Sequence, residues 1–183
     1  MQNLPVRSGP VWPLPQRLIH WGLVLGFGLA WWSSEGNDTL HEWSGYALAA
    51  LVAARVALGF GKHPAARWDV FFAKLARLPA ALAGRGGAYA GLSPTGAVSA
   101  LVLLVLMLAT AVTGWMLTLD AFVGDEGAEL RHTWSFNLLQ GWIALHVLAV
   151  LFVSLRQRRN RIAAMILGGR READHLRQAA ARD

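Results

Sequence analysis

Residues 95–119, TGAVSALVLLVLMLATAVTGWMLTL, run without a single charged side chain. The hydrocarbon core of a bilayer is about 30 Å thick and a helix rises about 1.5 Å per residue, so roughly 20 apolar residues cross it. This stretch meets that length. Pro94 stands just before it, where a missing N–H removes no helical hydrogen bond. Three more segments reach a similar length: Leu14–Ser33, with Pro13 and Pro15 at its start, Leu40–Phe60 and Ala128–Leu155. The breaks between the four are Ser34–Thr39, Gly61–Pro94 and Asp120–Gly127. The expected fold is therefore all-α, an integral membrane four-helix bundle.

The composition agrees. The 183 residues are 55% hydrophobic and 15% charged, with a mean hydropathy of +0.37, more apolar surface than a soluble domain of this size buries. The net charge of +6 does not point to nucleic acid, because the basic residues cluster beside apolar blocks instead of spreading over a polar surface. The absence of cysteine excludes disulfides, thiolate metal sites, iron–sulfur clusters and covalent c-type haem. A cofactor would be held by His, Met or carboxylate.

Charge sets the expected orientation. Segment 1–19 carries Arg7 and Arg17, segment 61–94 carries Lys62, Arg67, Lys74, Arg77 and Arg85, and segment 156–183 carries eight Arg. The other two connections hold Glu35, Asp38, Asp120, Asp125 and Glu126 and no Lys or Arg. By the positive-inside rule the basic segments, and both termini with them, are cytoplasmic, an N-in/C-in topology. Trp12, Trp31, Trp32, Trp43 and Trp134 lie near span ends, as an aromatic belt at the lipid interface places them. Arg7 and Arg17 ahead of the apolar run Leu18–Trp32 are laid out like a secretory signal, but no Ala-x-Ala-like site follows, so the run reads as a retained first helix. Within 61–94 the spacing of Trp68, Phe71, Phe72, Leu75 and Leu78 predicts a short interfacial helix between the second and third spans, followed by a flexible Arg85-Gly-Gly link. Ile162, Ala163, Met165 and Ile166 can form one more surface turn.

Four of the six histidines, His20, His41, His132 and His146, fall inside or at the ends of the spans, while His63 and His175 lie in basic segments as surface residues. A single imidazole in a membrane can simply bond a neighbouring backbone group, yet an intramembrane ionisable residue without a partner is costly. Depth distinguishes the two readings. His20 lies about 9 Å above the cytoplasmic start of its helix and His146 about 14 Å from the cytoplasmic end of the last, while His41 and His132 lie in the outer half. His132 and His146 sit about 21 Å apart along nearly one stripe of one helix. One helix thus presents two imidazoles at two depths, each level with a histidine on another helix. Two b-type haems with paired imidazole ligands fit this layout, since bundle cores hold cofactors and His is the axial ligand at hand.

Other residues carry less. Gly22, Gly26, Gly28, Gly45, Gly59, Gly114 and Gly141 allow either close helix packing or room for a flat macrocycle, and Gly45, one turn from His41, is the best placed to face a porphyrin. Arg17 and Arg55 would find partners in haem propionates; the alternative for Arg17 is a lipid phosphate, whereas Arg55 lies deeper in its helix.

With Arg17-Leu-Ile-His20-Trp21, Leu40-His41-Glu42-Trp43-Ser44-Gly45-Tyr46, Arg55, Gly114-Trp115 and Leu145-His146-Val147, the chain resembles the bacterial di-haem b-type cytochromes, the group of cytochrome b561 and the nickel–iron hydrogenase cytochrome b subunit. The resemblance implies a di-haem transmembrane cytochrome b domain over 11–170 and a basic cytoplasmic tail over 171–183. It also implies that His20 pairs with His146 on a cytoplasmic-side haem and His41 with His132 on a periplasmic-side one. Its members pass electrons between the quinone pool and a partner, here a soluble periplasmic cytochrome or a membrane-associated dehydrogenase or hydrogenase. It leaves open whether the chain is an electron carrier or a quinone-linked oxidoreductase, and whether it is a homodimer. Many relatives have a His-Asn-Pro turn where this chain has Leu92-Ser93-Pro94, so no role passes to that position. Three alternatives stand beside electron transfer: superoxide oxidation at the periplasmic haem edge, which the resemblance allows, a histidine-based transporter, and a haem-free membrane anchor. The transporter lacks internal repeats and broken helices. The anchor would need no depth-matched histidines.

Overall fold

The computed structural model describes residues 12–62, 66–85, 92–158 and 160–168. Among these it has seven α-helices, one 3-10 turn and no strand. The tail 171–183, His63, His175 and the two glycines after Arg85 lie outside the described residues.

Each long helix begins where the sequence supplies a cap or a proline. Helix α1, Leu14–Ser33, follows extended Pro13 and has Pro15 in its first turn. Helix α2, Asp38–Leu58, starts where the Asn37 side chain accepts from the Leu40 amide at 2.9 Å. Helix α3, Trp68–Leu75, and helix α4, Leu78–Leu82, fill the long connection. Helix α5, Pro94–Met116, is capped by Ser93, which accepts from Gly96 N at 3.1 Å. Helix α6, Glu126–Arg156, is capped by Asp125 and has Glu126 and Glu129 at its positive N-terminal end. Helix α7, Arg161–Leu167, is capped by Asn160 and stopped by Gly168 at φ 88°.

The span limits shift by a few residues for identifiable reasons. The caps Asn37 and Asp125 start α2 and α6 two residues ahead of the expected Leu40 and Ala128. Helix α5 ends at Met116, not Leu119, as the chain tightens through bonds from Leu117 N to Gly114 O and from Thr118 N to Trp115 O. The single interfacial helix expected in 61–94 is two short ones. Pro79 has no N–H and stands in the first turn of α4, where it costs no bond, so α4 starts afresh after α3. Arg67 donates two hydrogen bonds to Asp69 at the start of α3, which hold that carboxyl below its usual pKa.

Helix α1 packs on α2, α2 on α5 and α5 on α6, while α3 and α4 lie against α5 and α7 against α6. Helices α1 and α6 meet differently. Phe27 and Phe136 stack across them with ring centroids 6.1 Å apart. At one end α7 bridges the two: Arg17 Nε donates to Met165 O at 3.1 Å, Arg17 Nη2 donates to Ile166 O, and Trp12 N donates to Gly168 O.

Helices α5 and α6 are long and apolar enough to cross a membrane, and only 6% of the apolar stretch of each is buried within the protein. The core helix of a soluble protein would be mostly covered. Along them Leu108, Leu148 and Phe152 face outward, an apolar surface of the kind hydrocarbon covers. Helices α1 and α2 have 20 and 21 residues, but Gln16, Arg17, His20, His41, Glu42 and Arg55 dilute their apolar character. The end of the helices where α1 begins carries Arg17, Arg55, Arg67, Lys74 and Arg156; the other carries Glu35, Asp38, Asp120, Asp125 and Glu126. Arg131, one turn into α6 at that acidic end, reaches Asp125 at 3.6 Å.

Candidate functional site

The four histidines come together in two pairs. At the acidic end His41 on α2 faces His132 on α6, with ring centroids 6.2 Å apart and planes at 84°. Two metal–nitrogen bonds of about 2 Å and two ring radii span roughly 6 Å, so the gap suits a single metal atom. Toward the basic end, His20 on α1 and His146 on α6 are near enough to interact electrostatically. The Phe27–Phe136 stack lies between the two levels, seven residues along α1 from His20 and four along α6 from His132.

What each imidazole bonds decides which nitrogen is free. His41 Nδ1 lies 2.8 Å from the Ala30 carbonyl of α1. A carbonyl only accepts, so Nδ1 carries the proton and Nε2 keeps the bare lone pair that a metal ligand needs. His132 Nδ1 is 3.2 Å from Thr113 Oγ1, whose own hydroxyl donates to the Ala109 carbonyl at 2.8 Å. Thr113 therefore accepts from His132 Nδ1, with the Thr110 carbonyl as a further acceptor beside this imidazole, which again leaves Nε2 bare. His146 Nδ1 is 3.0 Å from Ser99 Oγ. His20 Nδ1 is buried with no protein partner. Among the described residues no three His, Cys, Asp or Glu side chains gather around one point. Two imidazoles leave most of a metal's coordination unfilled, so the donor set suits a metal that arrives in a macrocycle, as haem iron does.

The other residues expected at the site divide. Gly45 faces open space: a Cβ built there meets nothing within 4 Å, and Gly28 and Gly141 are alike. Gly22 and Gly26 are packing positions, where a Cβ would stand 3.1 Å from Leu51 and 2.9 Å from Leu48 on α2. At Gly114 it would stand 2.9 Å from the His132 ring, so this glycine makes room for that imidazole. Arg55 is part-buried, its Nη1 has no partner, and its guanidinium lies 5.3 Å from the Trp68 ring centroid. Arg17 instead spends its guanidinium on α7 carbonyls.

Sequence reasoning gave no role to several neighbours of the site. Gln16, Trp21 and Trp142 hold buried polar atoms without partners, and Trp21 packs edge-on to His20 at 5.3 Å. Ser99 and Thr113 were overlooked too. Their signal is a matched spacing: the two hydroxyls are as far apart in sequence on α5 as His132 and His146 are on α6.

The sequence model of a family described as prokaryotic cytochrome b561 matches residues 11–168, nearly the whole chain. No curated protein and no solved structure matches it.

Proposed function

This chain belongs to the prokaryotic cytochrome b561 family, membrane proteins that transfer electrons on b-type haem, and from that premise we propose that it holds two such haems and passes electrons between them across the membrane. One observation carries the count of two. The histidines form two pairs at separate levels, and α6 supplies one member of each.

His20 and His146 would hold one haem, His41 and His132 the other. Bound haem supplies a one-electron iron couple. The chain's own residues then determine how that couple is used. Held by two imidazoles, each haem would supply electron exchange and not oxygen or substrate binding. Ala30 and Thr113 fix the tautomers of His41 and His132 by accepting from Nδ1. Gly45 leaves the face beside His41 open for a flat ring. Arg55, with a buried and unpartnered Nη1, would pair with a propionate of the haem toward the basic end. Arg17 lies in the same region, but its contacts to α7 make its share in propionate binding conditional on that helix moving.

In this reading α1, α2, α5 and α6 all cross the membrane, and the basic connections keep both termini in the cytoplasm and the acidic end in the periplasm. A quinone or quinol exchanges electrons near one haem, and a redox protein, either a soluble periplasmic cytochrome or a membrane-bound dehydrogenase or hydrogenase, exchanges them at a membrane face. The test is reduction of the purified, haem-loaded protein by a short-chain hydroquinone. Both haems should reduce in the wild type. In His146→Ala the haem at the basic level should be absent and the other retained. Loss of both haems from a folded His146→Ala protein would contradict separate sites.

A further inference from the structure

Helix α5 carries no histidine, yet it touches two of the four. We propose that α5 sets the electron affinity of the two haem sites separately, Ser99 acting through His146 and Thr113 through His132. The proposal rests on reading the histidine pairs as axial ligands. Helices α5 and α6 run antiparallel and pack together, so the two hydroxyls on one meet two equally spaced imidazoles on the other. The contacts are 3.0 Å at Ser99 and 3.2 Å at Thr113.

With Nε2 on iron, Nδ1 keeps its proton and can only donate. An oxygen that accepts from Nδ1–H increases electron density at Nε2, and a more basic ligand favours ferric over ferrous iron. Through a one-electron change at the bound group, each histidine would keep its bond to it and its Nδ1 proton. Removing the acceptor should therefore raise the potential of that site alone. Thr113 is held in its accepting role, because its hydroxyl lies on the Ala109 and Thr110 carbonyls at 2.8 and 3.1 Å. Ser99 has His146 as its side-chain partner among the described residues. Neither hydroxyl touches iron in this arrangement; both are positioning residues.

The experiment is a potentiometric titration of the full-length, haem-loaded protein, followed by haem absorbance, with haem per polypeptide counted first. Ser99→Ala should raise one midpoint potential and leave the other unchanged. Thr113→Val should raise the other one, and Thr113→Ser, which keeps the oxygen, should return it to the wild-type value. If both variants keep their haem and neither potential moves, or each variant moves both together, the proposal is overturned. Loss of haem from one variant leaves the decision to the other, and loss from both also overturns it, because a tuning contact is dispensable for binding. A wild-type count below two overturns the axial-pair reading instead, and is known before any potential is measured.

Discussion

A single side chain at Gly45 tests the site's shape. It faces open space beside His41, whereas Gly26, nine residues along α1 from Arg17, has Leu48 across from it. Gly45→Leu should therefore fill the space a haem ring would use and lower occupancy of the site at the acidic end, with little effect on helix packing. Gly26→Leu should do the reverse, straining the α1–α2 contact by about 1–3 kcal/mol while leaving that haem bound. Haem content and thermal stability of the two variants check this; equal loss of haem from both would count against an open face at Gly45. At this scale the sequence made the four histidines legible, because an imidazole inside an apolar helix stands out. It singled out Gly45 for the open face and left the other six glycines between packing and space. Which of them packs and which faces space depends on the neighbouring helix, as Leu48 and Leu51 opposite Gly26 and Gly22 illustrate.

Among the elements, α3 depends on one close approach. Trp68 lies over Gly59, where a Cβ would overlap the indole ring, and its Nε1 donates to Val56 O at 3.0 Å. Gly59→Ala should dislodge the indole and free α3 from the end of α2, costing about 1–3 kcal/mol. The check is faster amide exchange in 68–75 with α5 and α6 still protected; unchanged exchange there would mean that Trp68 can shift without releasing the helix. The long elements were readable from apolar length and prolines, and their ends were less so, because Asn37 and Asp125 extend two of them through side-chain caps. The bridge from Arg17 to the carbonyls of α7 was not legible at all. It joins opposite ends of the chain and uses backbone acceptors, which leave no mark on sequence pattern.

For the molecule as a whole, apolar length and charge asymmetry were strong signals, and α5 and α6 meet the requirement for crossing a membrane. Helices α1 and α2 are more polar because they carry His20, His41 and Arg55, the residues assigned to the site. The proposed topology keeps the eight Arg of 156–183 in the cytoplasm. A C-terminal reporter should therefore be active only on that side; activity confined to the periplasm would reverse the orientation of both haem levels. Arg131 beside Asp125 slightly offsets the acidic end, and the remaining carboxylates there should attract a cationic soluble cytochrome in a salt-dependent way, since the Debye length falls from about 10 Å at 0.1 M to about 3 Å at 1 M. Equal, salt-independent rates of haem oxidation by cationic and anionic carriers would point to a membrane-embedded or cytoplasmic partner. The central claim, that two histidine pairs hold two haems, is tested most directly by a pyridine haemochrome assay on the purified chain. Two b-type haems per polypeptide is the result expected, and one or none in a folded, fully loaded protein would contradict it.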